Sequence, residues 1–113
     1  MDIEREAARL LRANRRPGYS QRHGLDYAYT CPSPRDYPYQ WFWDSCFHAI
    51  VLARLEPDWA LRELRSLVSV QRSDGFLPHV IFWETGPVIQ HWKYLQSDNP
   101  FWPRVWPIYS HLT

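Results

Sequence analysis

Two stretches carry most of the reactive and recognition-competent side chains. From Tyr37 to Ser45 the order is Tyr-Pro-Tyr-Gln-Trp-Phe-Trp-Asp-Ser, which sets five aromatic rings in seven residues ahead of one carboxylate. Sugars are held by this combination: flat CH-rich ring faces stack on Trp and Tyr, while a carboxylate or amide accepts from paired hydroxyls. Asp44, flanked by Phe42 and Trp43, is expected to be partly desolvated, which strengthens each hydrogen bond it accepts. A purely structural reading stands beside this one, with Asp44 capping a helix and the tryptophans filling a core. The second stretch is Gln71-Arg-Ser-Asp-Gly-Phe-Leu-Pro-His79, followed by Phe82-Trp83-Glu84. Ser73-Asp74-Gly75 there also suits an ordinary turn, and His79 suits a hydrogen-bonded structural histidine.

Other chemistries find little support. Five histidines are present, yet there is no HExxH and no cysteine pair at zinc spacing. Cys31 with Cys46 and His48 is a conceivable ligand set, but Cys46 and His48 point to different faces of a helix, so no metal site is expected. No cofactor is expected either. A GxSxG elbow is missing, and four glycines form no phosphate loop. Arg9, Arg12, Arg15 and Arg16 cluster near Glu4 and Glu6 and read as a solvated face.

The elements that must position these residues are mostly helical. Ile3, Ala7, Leu10 and Leu11 recur at helical spacing and predict a helix over 3–13, stopped by Pro17-Gly18. From Tyr19 to Gln40 no period is sustained and Pro32, Pro34 and Pro38 intervene, which predicts a long ordered loop carrying tyrosines. A second helix is expected from about Asp44-Ser45 through Phe47, Ile50, Val51 and Leu55. A third starts at Pro57-Asp58 and continues through Leu61, Leu64, Leu67 or Val68, and Val70, with Gly75 as a stop. The pair forms an αα-hairpin. Such a hairpin returns the chain to its starting end, so Asp44 and His79 are expected at one mouth. Phe76–Trp83 has extended character, and a short helix fits His91–Gln96.

Composition narrows the class further. The 113 residues hold 13 Lys and Arg against 12 Asp and Glu, a net charge of +1 that gives no electrostatic case for nucleic acid. Membrane spanning needs about 20 apolar residues, and the longest such stretch, Cys46–Ala53, is far shorter; no membrane partner is expected. The start, Met1-Asp-Ile-Glu-Arg5, lacks the order of a secretion signal. Cys31 and Cys46 read as free thiols, and the expected location is cytoplasmic. Aromatic residues make 17% of the chain, with ten prolines beside four glycines, more rings than one small core requires.

The segments Tyr37–Ile50 and Gln71–His79 with Phe82-Trp83-Glu84 resemble two successive motifs of the glycoside hydrolase family 63-like enzymes, in particular the bacterial mannosylglycerate and glucosylglycerate hydrolase branch. The resemblance covers roughly residues 4 to 96; Asn99–Thr113 matches no motif of the family. It implies an all-α fold, the N-terminal portion of an (α/α)6 barrel over residues 1–96, with 97–113 as an unmatched Pro- and Trp-rich tail. It further implies an inverting hydrolase whose general acid and base are carboxylates on later helices, beyond Thr113. By the same resemblance Tyr37, Trp41, Trp43 and Asp44 shape the terminal sugar subsite, joined by Gln40 and His79. The expected role is the N-terminal part of a hydrolase acting on a small glycoside. A non-catalytic carbohydrate-binding module and an inactive truncated protein are the alternatives, and oligomeric state is left open.

Overall fold

The computed structural model describes residues 2–21 and 23–83; the helix expected at 91–96 and the tail at 97–113 lie outside them. Helix α1, Ile3–Ala13, begins at Asp2, whose carboxylate accepts from the Arg5 backbone N–H at 3.2 Å. Glu4 and Glu6 occupy its first turn and Arg12 its last, the order a helix dipole favours. None of its residues is buried, so α1 lies on the surface, tied by Arg54 to Glu4 at 2.6 Å and by Arg12 to Glu56.

The expected loop from Tyr19 onward is corrected by a β-hairpin. Strand β1, Arg15–Ser20, pairs antiparallel with β2, Leu25–Thr30, and Gly24 at φ +65° helps turn the chain between them. The pattern hid β2 because both of its faces are covered, and a strand buried on both sides shows no alternation. Tyr27 and Tyr29 pack with Cys31, Leu67, Ile81 and Trp83, whereas Ala28 packs with Ala49, Leu52, Trp59 and Ala60. Pro17 is accommodated because, among the described residues, β1 pairs with β2 alone, leaving an edge where a missing N–H costs nothing. Next to it on β1, Gly18 pairs with Tyr27, and a Cβ at Gly18 would stand 2.5 Å from the Tyr27 hydroxyl oxygen and 2.7 Å from Cζ. Gly18→Ala is therefore expected to lose about 1–3 kcal/mol through overpacking, measurable as a lowered urea midpoint at unchanged slope.

Helix α2, Phe42–Leu55, starts earlier than Asp44-Ser45. Trp41 is its N-cap and gives no side-chain cap bond, so Asp44 lies within the first turn instead of capping it. Helix α3, Pro57–Val68, has proline at its first position as expected, but it ends well before Gly75. The Gln71 N–H donates to the Val68 carbonyl, and Arg72 N–H to the Phe76 carbonyl at 2.9 Å, closing a turn in which Gly75 takes φ +92°. Asp74 accepts from the Phe76 N–H at 3.1 Å, the ordinary turn role open to it. Strand β3, Gln40–Trp41, then pairs antiparallel with β4, Val80–Ile81.

The stripes expected to face the core are also corrected. On α3 the buried residues are Trp59, Ala60, Glu63, Ser66 and Leu67, while Leu61, Leu64 and Val68 are exposed. On α2 they are Ser45, Ala49 and Leu52, with Phe47, Ile50 and Val51 outside. Small residues allow the two helices to approach each other and β2 closely. Beside Leu52, Trp59 and Leu67 inside, the large apolar side chains Phe47, Ile50, Leu61 and Leu64 are turned the other way. The described residues thus mix three helices with two small sheets, where the resemblance leads to an all-helical expectation. No helix among them is long and apolar enough to cross a membrane.

Candidate functional site

The short β3–β4 ladder builds the site. Gln40 pairs with Ile81 and Trp41 with Val80, and the first N–H of α2, that of Phe42, donates to the His79 carbonyl at 2.9 Å. The loop before α2 and the loop after α3 therefore meet, as the hairpin geometry predicts. Trp41, almost fully buried, is the centre of an aromatic group. Tyr37 meets it edge-on at 5.7 Å between centroids and His79 does so at 5.7 Å from another side. Tyr39 packs on Phe82 at 4.7 Å, closing the wall behind. Edge-to-face contacts of this kind add directional stability to the area that the rings bury.

Tyr37 and Trp43 remain half-exposed, at 50% and 53%, and so present ring surface to solvent. Trp43 leans toward Phe47, one turn along α2, at 6.5 Å. Asp44 follows directly in the chain. Burial pushes its carboxyl above the ordinary value of 3.8, an effect partly offset by His48 one turn further on. Burial likewise holds His79 below the ordinary histidine value of 6.5. A half-buried acceptor next in the chain to an exposed ring is suited to binding hydroxyls.

The two shifts have opposite consequences for stability. Unfolded His79 takes a proton below 6.5 while folded His79 resists it, so stability falls as pH drops below that value. Folded Asp44 takes its proton at higher pH than the unfolded chain does, so its contribution to stability rises as pH falls toward 3.8. His79→Gln is expected to flatten the loss of thermal midpoint just below pH 6.5, and Asp44→Asn to steepen the loss in the more acid range. Midpoints recorded across that pH range for the three proteins check both signs.

Gln40 has a different place from the other candidates. It is fully buried, its amide donates to Ser45 Oγ at 3.1 Å and to the Glu63 carbonyl at 3.2 Å, and it accepts from Trp83 Nε1 at 2.9 Å. Its polar capacity is spent inside the fold, one residue before Trp41 in β3. Glu63 was not singled out in the sequence. Fully buried, it accepts from the Thr30 N–H at 3.1 Å, Thr30 Oγ1 at 2.9 Å and Ser45 Oγ at 3.0 Å. Its one available signal was an acid at helical spacing with Ala60 and Leu67. Neighbouring Arg62 and Arg65 disguised that position as a charged surface.

No group of three or more metal-ligating side chains occurs among the described residues, and Cys31 and Cys46 are free thiols. A separate open cleft of about 280 Å³ between β2 and α3, lined by Asp26, Arg62, Arg65 and Ser69 among others, shares no residue with the aromatic cluster.

Residues 37–108 match the family model described as the mannosylglycerate hydrolase MGH1-like glycoside hydrolase domain. The match runs past Gln96, so residues 97–108, set apart above as tail, fall within it. A mannosylglycerate hydrolase of Rubrobacter radiotolerans is 50% identical over 54 residues, which is 48% of this chain and 12% of that protein. A glucosylglycerate hydrolase of Mycolicibacterium hassiacum is 43% identical over 53 residues, 47% of this chain and 12% of the relative. For a mannosylglycerate hydrolase of Thermus thermophilus the figures are 43% over 58 residues, 50% and 14%. The chain thus covers only a small part of the length of the curated relatives it matches. No solved structure matches it.

Proposed function

The chain belongs to the MGH1-like glycoside hydrolase domain family, and from that premise we propose that it contributes the sugar-binding wall of a hydrolase acting on a small glycoside such as mannosylglycerate or glucosylglycerate. The observation that carries this reading is the β3–β4 ladder, which joins the ring cluster of Trp41 to His79 and leaves Trp43 and Asp44 on the next turn. Trp43 and Tyr37 stack on the sugar faces. Asp44 accepts from a pair of hydroxyls, and His79 lends a neutral ring nitrogen. Gln40 acts from behind, holding Trp41 in place.

In this proposal the reaction inverts the anomeric centre. It requires a general acid and a general base roughly 6.5–9.5 Å apart, with a water between base and sugar. Both are placed outside these 113 residues. Helices α2 and α3 then form one hairpin of an (α/α)6 barrel, which fits the outward-facing Phe47, Ile50, Leu61, Leu64 and Val68. A cytoplasmic location agrees with the two free thiols.

Incubated with either glycoside, the 113-residue chain is expected to release no free sugar, assayed as reducing ends. Steady release would overturn the placement of acid and base elsewhere.

A further inference from the structure

Glu63 is an acidic side chain with no access to solvent, and so none to a sugar. Its carboxylate is nonetheless fully engaged. Oε1 accepts from the Thr30 N–H and from Ser45 Oγ and faces His48 Nδ1 at 3.4 Å, while Oε2 accepts from Thr30 Oγ1. Thr30 Oγ1 in turn accepts from Trp59 Nε1 at 3.0 Å. On the other side Ser45 Oγ and the Glu63 carbonyl both accept from Gln40, and Gln40 accepts from Trp83. One residue of α3 thereby fixes β2, the first turn of α2 and the β3–β4 ladder.

Removing a carboxylate from water carries a large desolvation cost, and an apolar side chain of similar volume often serves stability as well or better. Glutamine at 63 would lose half of the acceptor sites and turn an N–H₂ toward donors that already point at it. A side chain without these acceptors could match the volume at 63 but not the arrangement. The arrangement Glu63 sets is local and specific: Ser45 adjoins Asp44 in sequence, His48 lies one turn beyond it, and Gln40 adjoins Trp41.

We propose that Glu63 is a positioning residue for the sugar site, holding Asp44 through Ser45 and His48 and holding Trp41 through Gln40. This rests on the reading of Asp44 and Trp41 as sugar contacts. Glu63 itself touches no ligand.

The test uses the full 113-residue chain and two variants. Ser45→Ala cuts one strut and changes almost no volume. Leu67→Ala removes a large side chain from the same buried face of α3 but takes no part in the network. Nitrogen-15 spectra follow the Asp44 amide and the Trp41 indole, and calorimetry gives Kd for mannosylglycerate and for glucosylglycerate. Ser45→Ala is expected to move both resonances and weaken binding about tenfold, the scale of one charge-assisted hydrogen bond. Leu67→Ala is expected to lose more stability while leaving Kd and both resonances nearly unchanged. Weakening in proportion to lost stability in both variants would reduce Glu63 to a structural role and overturn the proposal. If the unmodified chain binds neither glycoside, the sugar-site reading falls. The sugar-free spectra then decide the rest, since resonances unmoved by Ser45→Ala would overturn the positioning claim.

Discussion

Glu63→Ala is expected to lower folding stability by about 3–5 kcal/mol, the scale for removing one partner from a buried ionic network. The alanine leaves Thr30 N–H, Thr30 Oγ1 and Ser45 Oγ without the acceptor they have now. Each buried unsatisfied donor costs about 1–3 kcal/mol, and rotation of the two hydroxyls recovers part of that. A cavity on the inner face of α3 adds to the loss. Glu63→Gln keeps the volume and one acceptor oxygen, so about half of that loss is expected. Urea titrations of the two variants beside the parent, read at constant slope, separate these values. A loss below about 1 kcal/mol for the alanine variant would show that the network carries little of the fold.

Trp41→Ala is expected to be nearly as damaging, by about 3–5 kcal/mol, because the ring is almost fully buried between Tyr37 and His79. Sugar binding is expected to disappear with it. Trp43→Ala gives the contrast. That ring is half-exposed, so stability should shift by no more than about 0.5 kcal/mol while sugar binding is still lost. Thermal unfolding paired with calorimetry distinguishes the two. Equal stability losses at Trp41 and Trp43 would contradict the division of one ring into wall and the other into contact surface.

Much of the helical frame is legible in the sequence because its punctuation is strong. The spacing of Ile3, Ala7, Leu10 and Leu11 marks α1, and Pro57 marks the start of α3 and so the break after α2. The meeting of the two loops follows from hairpin geometry alone, and the β3–β4 pairing bears it out. The β-hairpin was hidden for physical reasons. Tyr27-Ala28-Tyr29-Thr30 is buried throughout, so it lacks a polar face, and Pro17 sits inside β1 where a proline reads as a break. The inward faces of α2 and α3 were hidden by size. Ser45, Ala49, Ala60 and Ser66 pack inside, whereas a pattern search follows the larger Phe47, Ile50, Leu61 and Leu64.

The residues proposed to face the sugar stand out in the sequence as a group because rings and a carboxylate at this density are rare in a core. What the sequence could not reveal was their division of labour. Gln40 reads like Trp41 and Asp44 on paper, yet a buried amide whose donors are both used has little to offer a ligand. Glu63 reads like its charged neighbours Arg62 and Arg65, and only packing against Thr30 and Ser45 separates it from them.

The measurement that bears most directly on the sugar-site assignment is a calorimetric titration of mannosylglycerate and glucosylglycerate into the 113-residue chain and into Asp44→Ala. Saturable binding of at least one glycoside by the parent, weakened tenfold or more in the variant at unchanged thermal stability, is the predicted result, since a hydrogen bond to a charged group contributes about 1.5–3 kcal/mol. Equal affinity in the two proteins, or no binding by the parent, would contradict it.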